Sequence, residues 1–107
     1  MSLDVTLTAL KPTEVFSCNI THNLTKMADA AGIYQYLWHP IDVGVTRAEQ
    51  LIAPLTEGLN KLRAEPDKYK QYNAPNGWGN YYNLVQFVEL YLESCIANPD
   101  ATVEVCR

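Results

Sequence analysis

The sequence has no long apolar run, no excess of basic residues and few cysteines, and each shortage excludes a class of protein. No stretch of about 18 apolar residues occurs, so no transmembrane helix is predicted. The N-terminus has no basic segment leading into an apolar one, which argues against a signal peptide. Acidic residues outnumber basic ones, 12 to 8, and the net charge of -4 does not suit nucleic-acid binding. We therefore expect a cytoplasmic protein with neither a membrane nor a nucleic-acid partner.

Motifs that hold metals or cofactors are also missing. The three cysteines and two histidines do not supply the two closely spaced ligand pairs of a structural zinc site. No phosphate-binding loop, paired-carboxylate motif or metalloprotease helix is present. An odd number of widely separated cysteines favours reduced thiols over a disulfide framework. We expect no metal and no cofactor.

The remaining composition is that of one globular domain spanning residues 1–107. Apolar residues make up 48% and charged residues 19% of the chain, which is enough for a hydrophobic core. Leu3 to Ala9 alternates apolar and polar side chains, the period of a half-buried strand. Residues 14–19 suggest a second strand after a turn over 10–13. Residues 101–106 alternate again and predict a terminal strand that pairs with the first.

Apolar residues spaced three and four apart predict a first helix. Thr21 or Asn19 would cap its N-terminus, and Gly32 would end it by taking a positive φ. A short helical segment over 34–38 follows. The side chains that would share the buried face of the first helix are those of Leu24, Met27, Ala28 and Ala31.

Two longer helices follow. Thr46 and Glu49 match a capping box, and the apolar stripe after them continues past Pro54 and Gly58, which should kink and weaken the helix. A strongly amphipathic helix is predicted over 81–96. The fold class expected from these elements is α+β, with three main helices packed on one face of a small antiparallel sheet formed by the chain ends.

Polar residues cluster at the predicted start of the first helix, in Asn19, Thr21, His22 and Asn23. An imidazole beside amide and hydroxyl groups at a helix N-terminus could bind an anion or act as a general base. The alternative is structural, with Asn19 and Thr21 satisfying first-turn amides and His22 solvated. The sequence leaves both interpretations open.

A second polar cluster, the turn over 73–80, precedes the last helix and contains Asn76, Trp78 and Asn80. Aromatic rings provide rigid contact area and amides provide orientation, as binding sites for peptides, sugars or bases require. The alternative is that Trp78 plugs the end of the core while the neighbouring glycines supply backbone freedom. Both interpretations make this turn the N-terminal anchor of the last helix.

Cys18 and His22 raise the alternative of a small hydrolase or transferase, in which His22 acts with Cys18 or a neighbouring amide. No glycine-rich oxyanion segment accompanies them, and cysteine is among the most buried residue types, so a nucleophilic role is disfavoured. This alternative predicts a pocket in which His22, His39 and Trp78 converge.

Two segments together resemble a known family. They are Asn19–Ala28 (NITHNLTKMA) and Asn76–Tyr81 (NGWGNY). Over nearly its whole length the chain resembles a family of small hypothetical proteins found in bacterial and bacteriophage genomes. No activity is assigned to that family, so the resemblance implies a bacterial or phage setting and carries over no catalytic or binding residues.

The residues and the resemblance predict a small binding or interaction protein rather than an enzyme, encoded by a bacterium, a phage or a prophage. We expect a monomer or small homo-oligomer in the cytoplasm of a bacterium or of a phage-infected host. Its partner would be another protein or a small polar ligand. The predicted binding residues are Asn19, Thr21, His22, Asn23, Asn76, Trp78 and Asn80.

Overall fold

The computed structural model describes residues 2–9, 13–75, 77 and 79–107, with the backbone alone described at Thr13. Two 3-10 turns, His22–Leu24 and Pro40–Val43, join longer elements. In chain order the strands and α-helices are β1 (Ser2–Ala9), β2 (Thr13–Thr21), α1 (Thr25–Ala30), α2 (Tyr34–Trp38), α3 (Glu49–Ala64), α4 (Pro66–Lys70), α5 (Tyr81–Ala97) and β3 (Thr102–Cys106).

The three strands form one antiparallel sheet in the order β2-β1-β3, so β1 lies in the centre. Leu3, Val5 and Leu7 are fully buried beneath the helices. This confirms the predicted α+β fold, in which helices pack on a sheet that includes both chain ends. Of the predicted turn over 10–13, residues 10–12 lie outside the described part of the chain.

The other face of the sheet carries polar side chains. Asp4 pairs with Asn19, and Thr6 pairs with Ser17 on one side and Glu104 on the other. A sheet with one apolar and one polar face covers only the apolar face with helices. The alternation read from the sequence therefore decides which side of the sheet receives α3 and α5.

Most of the predicted helices are present with ends close to those predicted. Gly32 has a φ of 78° and ends the first helical region, and Ile33 after it is buried. Helix α3 continues through Pro54 to its end at Ala64. The predicted helix over 81–96 is α5, which lies against both α3 and β2.

The start of the first helix differs from the prediction. Asn19 does not cap a helix, because it lies in β2. Thr21 caps the 3-10 turn, its hydroxyl accepting from the backbone N–H of Asn23 at 3.2 Å, and α1 begins only at Thr25. Because β2 pairs with β1 as far as Thr21, no helix can begin before that residue.

The predicted capping box of Thr46 and Glu49 is wrong. The first-turn amides of α3 bond elsewhere, Glu49 N–H to the carbonyl of Pro99 and Ala48 N–H to the carbonyl of Ala101, each at 2.9 Å. The side chain of Gln50 accepts instead from the N–H of Thr46, at 2.8 Å. The carbonyl groups of Pro99 and Ala101, which are distant in sequence, thus take the place of the predicted capping box.

Two buried tyrosines on α5 differ in how their hydroxyls are satisfied. Tyr81 donates to the carbonyl of Leu62 at 2.7 Å. The Tyr91 ring is stacked on Phe16 with centroids 5.7 Å apart, and its buried hydroxyl has no hydrogen-bond partner among the described residues. Burial raises the pKa of the Tyr91 hydroxyl, so this group stays neutral.

We expect these two hydroxyls to respond oppositely to removal. Tyr91→Phe deletes an unpaired buried polar group and should leave the free energy of unfolding unchanged or raise it by up to about 1 kcal/mol. Tyr81→Phe leaves the carbonyl of Leu62 unpaired and should lower it by about 1–2 kcal/mol. Urea denaturation of the two variants compares them directly, and a loss of stability in Tyr91→Phe equal to that in Tyr81→Phe would contradict this account.

Candidate functional site

The two polar segments predicted from the sequence meet in the structure. Gly79 has a φ of 123°, and a Cβ built on it would lie 2.8 Å from Cγ2 of Thr21 and 3.2 Å from Cγ of Leu24. Backbone and side chain approach this closely only where one partner lacks a Cβ. The turn before α5 therefore lies directly on the end of β2 and on the 3-10 turn that follows it.

Hydrogen bonds within the turn hold it in this position. The side-chain oxygen of Asn73 accepts from the N–H of Tyr81 at 2.7 Å, and Ala74 N–H donates to the carbonyl of Gly79 at 2.9 Å. Asn80 and Asn83 form a reciprocal capping box, with both bonds 3.0 Å long. The side-chain oxygen of Asn80 is thus engaged in starting α5.

A polar cleft of about 730 Å³ opens on one side of this contact. One wall is the segment 22–26, and the other is the segment 71–75, which runs from the end of α4 into the turn over 73–80. Among the described residues that line the cleft, Lys26 is the only one with a formal charge. We call this space the polar cleft, and its described lining is His22, Asn23, Thr25, Lys26, Gln71, Tyr72, Asn73, Ala74 and Pro75.

A second, smaller space of about 330 Å³ opens between β2 and α5. None of its described lining residues carries a formal charge, and Leu90 on its rim is 41% exposed. We call this space the edge groove, and its described lining is Cys18, Asn19, Ile20, Thr21, Gly79, Asn83, Gln86, Phe87 and Leu90.

The predicted binding residues are divided between these two spaces. Asn19 and Thr21 line the edge groove, whereas His22 and Asn23 line the polar cleft. Asn80 lies in the turn between them. Asn76 and Trp78 lie outside the described residues, so the prediction that Trp78 plugs the core or contacts a ligand stays a prediction.

His22 belongs to a chain of aromatic rings. Its ring lies edge-on to Trp38 at a centroid distance of 6.1 Å, and Trp38 stacks on Tyr34 at 5.5 Å. Tyr34 in turn contacts His39, with its hydroxyl 3.0 Å from Nε2 of that ring. Two rings therefore separate the histidines, and Nε2 of His22 is buried with no hydrogen-bond partner among the described residues.

The cysteines lie in three different environments. Cys18 lines the edge groove with its Sγ 3.8 Å from the carbonyl of Asn19. Burial raises the pKa of the Cys95 thiol to about 12, so that thiol remains protonated and is a poor nucleophile. Cys106 is exposed on β3. In the part of the chain that the structure describes, no three His, Cys, Asp or Glu side chains gather as ligands for a metal.

No family model matches the chain, and comparisons with curated proteins and with solved structures give no match either. The resemblance to small bacterial and phage proteins therefore stays a prediction. Among the residues described here, no helix is both long and apolar enough to cross a membrane.

Proposed function

We propose that this chain is a small binding protein whose ligand occupies the polar cleft. The observation that carries the proposal is that segments 22–26 and 71–75, distant in sequence, form the two walls of one cleft. Its volume of about 730 Å³ is within the range of about 300–1,000 Å³ that is usual for small-molecule sites. The bacterial or phage setting and the cytoplasmic location, predicted from the sequence, belong to the same proposal.

The lining of the cleft indicates the chemistry of the ligand. The side-chain amides of Gln71 and Asn73 carry both donors and acceptors, although Nε2 of Gln71 already donates to the carbonyl of Lys68 and the oxygen of Asn73 accepts from Tyr81, and Tyr72 offers an aromatic face. Lys26 places a positive charge here although the whole chain carries -4. A positive charge in a concave site attracts ligands of opposite charge. We therefore expect a small polar ligand that bears an anionic group, and not a neutral or cationic one.

The test is a binding screen followed by a matched pair of lysine variants. Sugar phosphates, nucleotides, dicarboxylates and amino acids are compared with neutral oligosaccharides by thermal shift, and the affinity of any hit is measured by calorimetry. Lys26→Gln should weaken binding of an anionic hit about tenfold, corresponding to about 1.4 kcal/mol. Lys61→Gln, a change at an exposed lysine on α3, should leave the affinity within about twofold of the original.

Two results would contradict the proposal. One is an anionic hit that binds Lys26→Gln and Lys61→Gln equally well, because its site would then lie elsewhere. The other is a screen in which only cationic or neutral compounds bind. Tyr72→Ala provides a second variant in the opposite wall and should also weaken the anionic hit.

The alternative of a small hydrolase or transferase has less support. It pairs His22 with Cys18 or a neighbouring amide, and its favourable feature is the buried Nε2 of His22, which has no hydrogen-bond partner in the part of the chain that the structure describes. Cys18 lines the edge groove, however, while His22 lines the polar cleft. A nucleophile and its base need to lie within hydrogen-bond reach of each other, and the described hydrogen bonds include none between these two side chains.

A further inference from the structure

The two edges of the sheet differ in whether another part of the chain pairs with them. The outer edge of β3 is covered by the chain itself, since Val103 N–H donates to the carbonyl of Thr46 at 2.9 Å and Arg47 forms a bridge with Thr102. Strand β2 is the opposite edge, and among the described residues no backbone hydrogen bond reaches its outer side. Within the described chain, the outward N–H and C=O groups of this strand therefore have no backbone partner, and such groups can pair with another strand.

Strand β2 also lacks most of the features that protect sheet edges. It has nine residues, and Glu14 is its only charged residue, with no lysine and no proline within it. The one irregularity of pairing lies near its start, opposite Leu7 and Thr8, and the register from Phe16 to Thr21 is continuous. Short strands, lysines, prolines and bulges are the usual means of preventing edge-to-edge pairing.

The edge groove lies beside this free edge. Its floor includes Phe87, which is buried, and its outer rim on α5 includes Gln86 and Leu90. A strand added next to β2 would direct every second side chain toward this groove. Because none of the nine described lining residues is charged, the groove suits apolar or small uncharged side chains.

We propose that β2 and the edge groove bind an extended peptide segment of another protein, which adds to the sheet as a fourth strand. Main-chain hydrogen bonds would supply affinity, and the groove would select alternate side chains. This site is separate from the polar cleft and does not depend on the function proposed for that cleft.

The charges around the groove define the partner further. Phe16 of β2 stacks on Tyr91 of α5, so the two elements run side by side beyond the groove. At that end both Glu93 of α5 and Glu14 of β2 are exposed, and Glu14, which pairs with Thr8, is on the polar face of the sheet, which an added strand would also reach. We therefore expect an uncharged extended segment with a lysine or arginine at one end. A second copy of this chain is a poorer occupant, since each copy carries a charge of -4.

The test uses a display library of short random peptides, selected on the full-length chain and then synthesised. We expect enriched sequences with alternating apolar residues and a basic residue at one end. Binding of the synthetic peptide should slow hydrogen exchange in residues 17–21. Methylation of alternate peptide nitrogens, which removes donors to β2, should weaken binding at least about tenfold.

Two substitutions on α5 provide a matched comparison. Leu90→Lys places a charge on the rim of the groove and should weaken the peptide about tenfold or more. Ile96→Lys makes the same change at a position that is 57% exposed on the same helix and is not among the groove's lining residues, so affinity should stay within about twofold.

Each of the following outcomes would overturn the proposal. One is a selection that enriches no sequence, and another is a peptide that binds both lysine variants equally. A third is slowed exchange in residues 22–26 and 71–75, which would assign the peptide to the polar cleft. The last is a dimer in native mass spectrometry with residues 17–21 protected in the absence of peptide, in which case a second copy occupies the edge.

Discussion

Gly79→Ala is expected to lower the free energy of unfolding by about 2–4 kcal/mol. Part of the loss comes from the backbone, since a φ of 123° lies where side chains other than glycine are strained. The rest comes from collision, because the new methyl would lie 2.8 Å from Cγ2 of Thr21 and 3.2 Å from Cγ of Leu24. Leu24 is fully buried and has little freedom to move away.

Gly77→Ala separates the two contributions. Gly77 also has a positive φ, 77°, but no described atom lies within 4 Å of the position a Cβ would take. This variant should lose about 1 kcal/mol, the backbone cost alone. Urea denaturation of both variants measures the difference. Equal losses would show that the close approach of the turn to Thr21 and Leu24 is not a feature of the folded protein.

Gly58→Ala is expected to destabilise the protein by about 1–3 kcal/mol, against the usual effect of this change in a helix. In an exposed helix, alanine is favoured over glycine by about 1 kcal/mol. Here the new methyl would overlap Cγ2 of Ile33, a side chain that is only 1% exposed. The cost of overpacking in a filled core exceeds the gain in helix propensity, so the sign is reversed.

Asn60→Ala provides the control for propensity. Asn60 is exposed on the same helix, so alanine there should raise stability by about 0.5 kcal/mol. A double-mutant cycle adds the second test, since Ile33→Ala makes room for the methyl and should cost less in the presence of Gly58→Ala than alone. Stabilisation by Gly58→Ala comparable to that by Asn60→Ala would refute the close contact between α3 and Ile33.

Gly58 also illustrates how far sequence reasoning extends. From the sequence it could be interpreted only as a weak point in a helix, because propensity is a property of the helix itself. Its role as the place where Ile33 packs against α3 depends on a residue 25 positions away, the difference between positions 58 and 33. Nothing in the local pattern around Gly58 identifies that neighbour.

The candidate site shows the same difference between what local residue types indicate and what depends on distant contacts. Asn19, Thr21, His22 and Asn23 could be selected from their residue types, and all four line one of the two spaces. On the opposite walls, Asn73 belongs to the turn over 73–80 that the sequence already indicated, whereas Gln71 on one side and Gln86 on the other carry no motif and were missed. For Gln71 the one available signal was the density of amide and aromatic residues between α4 and α5, and Gln86 lies within α5 with no signal at all.

The sequence by itself determined the elements and their buried faces, because alternation in strands and spacings of three and four in helices depend on the local geometry of the backbone. It also determined the sheet partnership of the chain ends, since a short terminal strand requires a neighbour. Tertiary structure alone decided that the turn at Gly79 lies on Thr21, dividing the predicted site into a polar cleft and an edge groove. That outcome depends on which distant backbone segments can approach without a Cβ between them, and such an approach has no periodic signature in the sequence.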